Sequence, residues 1–240
     1  MAFDRKWPRF ARSFQRLRTK HLRSAVCNRP SLAHDVIIMK LYYAPGACSL
    51  STHIVLQESG LAFTPVLASL QSHKLQDGSD FYAVNAKGYV PVLELDSGER
   101  LTEGPAIVQY IADQVPARKL APANGTMARY RLQEWLNFIT SELHKGIGGL
   151  FDPAMPADYK LAVKEKALGR LKWVDSQLEG KHYLLGEEFS VADAYLFTVT
   201  SWTRPTGIDI SGLKNLGAFT ARMMERPAVK AAMTAEGLLK

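Results

Sequence analysis

The sequence changes character at Pro116–Thr126, "PARKLAPANGT", and that change constrains the fold more than any single residue does. Before it, short runs of strand-formers alternate with helical patterns. Met39–Tyr43 and Phe63–Ala68 read as strands, with a helix over Ser49–Ser59 between them that Gly60 ends. Val92–Leu95 and Arg100–Leu101 flank the turn Asp96-Ser97-Gly98 as a hairpin, and Glu103–Gln114 reads as a helix. A βαβ unit followed by a ββα unit makes a small mixed sheet. After the change, Met127–Leu150, Lys160–Glu179, Val191–Trp202, Leu213–Glu225 and Ala228–Ala235 all carry helical periodicity, and no strand pattern recurs. Such a switch predicts α/β plus all-α architecture, one domain after the other. The expected boundaries are 39–117 for the α/β domain, 118–125 for the linker and 126–240 for the all-helical domain.

The formal charge of +7 is not spread over this body. Residues 1–38 hold nine Lys and Arg against Asp4 and Asp35, which accounts for all of it. A neutral body with a basic arm argues against a nucleic-acid groove in the body. Within the arm, Phe3, Trp7, Phe10, Phe14 and Leu17 recur at spacings of four and three between arginines. That pattern fits an amphipathic helix on an anionic membrane, or an Arg-rich transit peptide. The simpler reading, preferred here, is a disordered basic extension, with Met39 as a natural chain start. It predicts that deleting residues 1–38 leaves catalysis intact; abolished activity would refute it. No run approaches the length of a membrane span, so no membrane is expected for residues 39–240. Two cysteines, Cys27 and Cys48, make no disulfide framework, which points to a reducing, cytoplasmic setting. The six histidines are scattered, without metal-ligand spacing, and there is no phosphate-binding glycine motif.

Four stretches carry candidate chemistry. Cys48 follows a Pro-Gly turn and begins a helix, where free N–H groups and the helix dipole lower a thiol pKa. A small buried hydrophobe is the competing reading. Cys48-Ser49-Leu50-Ser51 resembles a thioredoxin-type Cys-x-x-Cys whose second cysteine is serine. Such a site forms a mixed disulfide and cannot resolve it internally. Val90-Pro91 opens a strand; in thioredoxin-like folds that proline is cis, and the residue before it pairs its backbone with a thiol peptide. An ordinary trans edge proline is the alternative. Thr102-Glu103-Gly104-Pro105 starts a helix, where N–H groups hold a carboxylate and Glu103 holds an ammonium. An acidic, capped helix start with no ligand is the plainer reading. On "RLQEWLNFITSELHKG", Leu132, Leu136, Ile139, Leu143 and Ile147 form the core stripe. Arg131, Glu134, Glu142 and Lys145 form a charged stripe on another side. Asn137, Ser141 and His144 share a third face that suits a cleft or a mildly polar surface. A fifth stretch is structural: Ser190 with Asp193 three residues on is a capping-box pattern, with Phe189 before it as a staple residue.

Taken together, "MKLYYAPGACSLSTHIVLQESGL", "NAKGYVPVLELDSGERLTEGPAIVQYIAD", "EWLNFITSELHKG" and "FSVADAYLFTV…RPAVKAAMTAEGL" resemble the beta-class bacterial glutathione S-transferases, from Met39 to Lys240. The resemblance implies a thioredoxin-like domain, a helical-bundle domain and a homodimer with glutathione between the domains. It implies that Cys48 faces the glutathione sulfur and Val90 pairs with the cysteinyl backbone. Glu103 and Gly104 then take the γ-glutamyl end, and Asn137, Ser141 and His144 reach the thiol side and, partly, across the dimer. His73 stands where the family commonly has lysine near the glycyl carboxylate, and Pro105 replaces an apolar residue, which predicts modestly weaker glutathione affinity. The implied activity is conjugation of glutathione thiolate to apolar electrophiles in detoxification, with catalytic roles for Cys48 and His144 and no metal. Thiol–disulfide exchange or peroxide reduction through Cys48 is the alternative chemistry. A non-catalytic binding or interaction protein is the alternative of another class.

Overall fold

The computed structural model describes residues 39–239. The expectations for residues 1–38 therefore lie outside the described residues. The α/β part begins with β1 (Met39–Tyr43), α1 (Ser49–Ser59) and β2 (Phe63–Leu67). β1 and β2 pair in parallel, Met39 opposite Phe63 and Leu41 opposite Pro65, so the chain needs the crossover that α1 supplies. β3 (Val92–Glu94) and β4 (Arg100–Thr102) form the hairpin, and β3 runs antiparallel to β1. The order β2-β1-β3-β4 leaves β2 at an edge, where Pro65 costs the sheet no ladder bond. Gly60 takes φ 73° at the end of α1, the left-handed conformation that a glycine adopts freely. α2 (Gly104–Gln114) closes the unit.

The helical part holds α3 (Met127–Phe138), α4 (Lys145–Gly149), α5 (Ala157–Gln177), α6 (Val191–Ser201), α7 (Thr203–Thr206), α8 (Lys214–Glu225) and α9 (Pro227–Ala235). The single helix expected over Met127–Leu150 is divided: Ile139–His144 is a π-helical turn between α3 and α4. Its core stripe holds all the same, with Leu132, Leu136, Ile139, Leu143 and Ile147 buried. The short α7 has no counterpart in the sequence pattern.

Two helices lie at the centre. α1 is buried from Ser49 to Leu56 and packs against α2, α6 and α9. α6 is buried from Val191 to Thr200. Helices buried all round have no solvent face to give, and these two contact each other across the domain boundary. One continuous core results, running from Leu41, Ile54 and Ile107 through Leu136 and Leu143 to Phe197 and Phe219. The capping box predicted at the start of α6 is present. The Ser190 N–H and hydroxyl donate to Asp193 Oδ2 at 2.8 and 2.7 Å, and the Leu184 N–H donates to Oδ1 at 2.8 Å. Burial pushes the Asp193 carboxyl up to about 6, against these three hydrogen bonds and the charge of Arg226, which lower it.

Candidate active site

The loop from Ala44 to Cys48 carries the sequence's most reactive candidate to the N-terminus of α1. Gly46 sits at φ 69°, where a side chain is strained. Both polar groups of Gly46 are held from the helical part. Its N–H donates to Glu236 Oε2 at 2.9 Å, and its carbonyl accepts from Trp202 Nε1 at 2.8 Å. Glu236 lies buried past the end of α9, and its other oxygen is 2.9 Å from His53 Nδ1 on α1. The loop is thus fixed by groups 156 and 190 residues away in sequence.

Cys48 is the N-cap residue of α1, half-buried, and its thiol donates to the Val90 carbonyl at 3.2 Å. The expected lowering of its pKa is not what the surroundings produce. Burial pushes the thiol up to about 11, opposed by hydrogen bonds from the N–H groups of Cys48 and Ser49 and reinforced by the negative charge of Glu103. The helix start does act in the expected direction, but desolvation outweighs it. Ser51, at the fourth position of the Cys-x-x-Ser word, donates to the Cys48 carbonyl at 2.7 Å and offers no second thiol.

The Val90–Pro91 bond is cis, as the sequence predicts. Buried Asn85 holds this loop, with its Nδ2 donating to the Tyr89 carbonyl at 2.7 Å. Glu103, next along the same wall, stands at φ 68° and ψ 108° just before α2. A non-glycine residue there stores about 1–3 kcal/mol of strain, which functional sites tolerate more than ordinary turns do. Its side chain is 69% exposed and pairs with Lys87, whose ammonium also donates to Thr102 Oγ1 at 2.9 Å.

The opposite wall comes from the π turn and α6. His144 Nδ1 lies 2.6 Å from the Tyr195 hydroxyl, and its ring meets Tyr195 and Trp202 edge-on. Burial holds the His144 imidazole down at about 4; the adjacent Lys145 cation lowers it further, and Glu103 acts the other way. Burial likewise pushes the Tyr195 phenol well above its usual range. Between the walls lies a cavity of about 670 Å3. Of the residues singled out from sequence, the fold brings Cys48, Val90, Glu103, Gly104 and His144 together around it.

Three predicted site residues are not in that lining. Asn137 and Ser141 are exposed, with Ser141 Oγ donating to the Asn137 carbonyl at 3.1 Å. The reason is the π turn: its i→i+5 bonding under-rotates the chain, so 137, 141 and 144 do not stack as α-helical spacing requires. Thr140 takes the place beside His144. His73, at φ 52°, stacks its ring on Tyr82, with centroids 4.5 Å apart, beside Gly88 and outside the cavity lining. Sequence reasoning missed Tyr195, Trp202 and Lys87 altogether. The available signal for Tyr195 was chemical: a tyrosine inside a buried, largely apolar helix needs a partner for its hydroxyl. Another cavity of about 650 Å3, beside Pro122 and Phe189 at the linker, has no thiol or imidazole in its wall. Among the described residues no group of three His, Cys, Asp or Glu is placed to hold a metal ion, and no helix is long and apolar enough to cross a membrane.

Comparison with known proteins adds a second line of observation. Residues 38–113 match the family model for the glutathione S-transferase N-terminal domain, and residues 131–227 the model for its C-terminal domain. The chain is 48% identical over 200 residues to glutathione S-transferase GstA of Escherichia coli O157:H7, covering 83% of this chain and 100% of the relative. It is 36% identical over 207 residues to glutathione S-transferase GST-4.5 of Xanthomonas campestris pv. campestris, with the same coverage of each. Among solved structures, a ternary complex of BphK, a bacterial GST, superposes with TM-score 0.82 at 55% identity, covering 83% of this chain and all (100%) of that one. A beta-class glutathione S-transferase of Sphingomonas chungbukensis gives 0.81 at 49%, and a sphingomonad glutathione S-transferase complexed with glutathione gives 0.80 at 48%, each with that same coverage.

Proposed function

The chain belongs to the glutathione S-transferase family, and from that premise we propose that it conjugates glutathione to apolar electrophiles, as a detoxifying transferase. Glutathione enters as substrate. The Glu103 carboxylate takes its γ-glutamyl ammonium, displacing Lys87, and the Gly104 N–H at the start of α2 takes the neighbouring carboxylate. The Val90 backbone pairs with the cysteinyl residue in strand fashion. The sulfur then faces Cys48, the N-terminus of α1 and His144. Donors aimed at it stabilise the thiolate, and the thiol proton passes to water. The thiolate forms a C–S bond to the electrophilic carbon, and a leaving group such as halide departs with its electron pair.

The observation that carries conjugation over redox chemistry is the state of Cys48. Its thiol donates its proton to the Val90 carbonyl in a hydrogen bond and burial holds its pKa at about 11, so at neutral pH it is a neutral thiol rather than an attacking thiolate. Thiol–disulfide exchange is the second reading, favoured by the placement of Cys48 at a helix start with Ser51 in the resolving position. Turnover of an activated aryl halide, together with mass spectrometry of the protein with and without reductant, tests both. Steady turnover with no obligatory adduct supports conjugation. A glutathione-sized adduct on Cys48, with turnover lost in Cys48→Ala, would replace it with exchange through a mixed disulfide.

The active form in this reading is a homodimer in the cytoplasm. Asn137 and Ser141, exposed outside the cavity of their own chain, are available to a second copy.

A further inference from the structure

Whether His144 offers the cavity a proton or a lone pair depends on which ring nitrogen is protonated, and its neighbours decide this. Two proton assignments are open at the Thr140–Tyr195–His144 cluster. In the first, the Tyr195 hydroxyl donates to His144 Nδ1 across 2.6 Å, leaving the proton on Nε2. In the second, Nδ1–H donates to the tyrosine oxygen, which leaves the tyrosine proton Thr140 Oγ1 at 3.3 Å as its protein acceptor. The threonine hydroxyl already donates to the Leu136 carbonyl at 2.8 Å, so its oxygen is open as an acceptor. But 3.3 Å is too long for a good O–H···O bond, whereas 2.6 Å suits a phenol donating to an imidazole nitrogen. The first assignment puts the phenol and threonine protons in short bonds and leaves only Nε2–H to the cavity; the second leaves a largely buried phenol nearly unsatisfied, at a cost. The Nε2 edge is left open by a glycine: a Cβ added at Gly148 would stand 3.4 Å from His144 Cδ2 and 4.0 Å from Nε2.

We propose that Tyr195 is a positioning residue that locks His144 in the Nε2–H tautomer, making it a hydrogen-bond donor to the reacting thiolate rather than a base. The direction of the pKa shifts agrees, since burial keeps the imidazole uncharged and the phenol protonated at neutral pH. The charged or titratable groups acting on the pair are Lys145 beside His144, Glu103 at the start of α2 and Cys48 on α1. The identity of the sulfur rests on the glutathione reading above; the tautomer does not.

The test has two arms. Nitrogen NMR of the ligand-free protein labelled in histidine, with His144→Gln to assign the resonance, should show His144 protonated at Nε2 and unprotonated at Nδ1. In Tyr195→Phe the same ring should become a mixture of tautomers. In the second arm, the thiolate absorbance of bound glutathione is titrated. Tyr195→Phe should raise the bound thiol pKa by about one unit, a roughly tenfold loss of thiolate at low pH, with KM for glutathione changed by less than about twofold. In the His144→Gln background Tyr195→Phe should add nothing, the signature of two residues acting as one unit. A wild-type ring protonated at Nδ1 overturns the proposal. So does a Tyr195→Phe effect that persists undiminished without His144. A wild-type protein that does not bind glutathione sinks the function instead, and the NMR arm still decides the tautomer.

Discussion

The two walls of the cavity are made of different materials. On the sheet side, the groups are held by chain conformation: Gly46 and Glu103 at positive φ, Cys48 at the start of α1, and the Val90 carbonyl beside a cis proline. On the helical side they are side chains: His144 from the π turn, Tyr195 from α6 and Trp202 from the end of α6. The first wall presents groups placed by backbone conformation, and the second presents rings placed by packing and tuned by burial. The reading of glutathione binding assigns recognition to the first wall and the tuning of the sulfur to the second.

Removing the carboxylate of the sheet wall is the largest test of that division. Glu103→Gln should weaken glutathione binding by about 10- to 100-fold, since a hydrogen bond between charged groups contributes about 1.5–3 kcal/mol; calorimetry with the reduced peptide measures it. If Trp202→Phe costs more affinity than Glu103→Gln, recognition belongs to the helical wall and the division fails. Next comes the joint between the walls. Glu236→Ala strips partners from the Gly46 N–H and from His53 Nδ1, both held by that buried carboxylate. Each buried group left unsatisfied costs about 1–3 kcal/mol, so urea unfolding should show a loss of about 3 kcal/mol, and turnover should fall with it. Glu236→Gln keeps an oxygen for one partner and should lose less. Smaller again is Ser190→Ala, away from either wall. It should cost about 1 kcal/mol in thermal and denaturant midpoints while leaving kcat unchanged.

The same contrast explains what the sequence disclosed. Conformational positions leave marks as Gly, Pro and turn residues, so Cys48, Val90, Glu103 and Gly104 were legible, as were the strands, the hairpin and the long helices. Contacts between helices leave only a polar letter inside an apolar run. Tyr195 and Trp202 therefore stayed hidden, and Glu236 is found only through partners at the far end of the chain. The π turn bears on the spacing argument itself, since Asn137 and Ser141 lie outside the lining of their own chain's cavity. Asn137, Ser141 and His144 share a face only if every turn is α-helical, and nothing in "FITSELH" announces an i→i+5 turn. His73 lies outside the lining for another reason: the direction of a loop side chain depends on the path of the loop, here a residue at φ 52° packed against Tyr82 and Gly88.

A test read from slopes rather than offsets separates the helical wall from the helix cap behind it, because their titrations pull stability in opposite directions. Burial holds His144 at about 4, below its ordinary 6.5. Between those values the unfolded chain binds the proton and the native chain does not, so the native state gains stability as pH rises from 4 to 6.5. Asp193 is held at about 6, above its ordinary 3.8. There the native chain keeps a proton that the unfolded chain has released, so stability is lost as pH rises from 3.8 to 6. Denaturation at a series of pH values should show wild type gaining on His144→Gln as pH rises through this window, and losing ground to Asp193→Asn through the same window. The absolute offset of each variant is set by its lost contacts; only the slopes carry the test. If both difference curves were flat, burial would not control either group. If both sloped the same way, hydrogen bonding rather than desolvation would dominate at Asp193, and its carboxylate would belong with the backbone-fixed groups of the sheet wall.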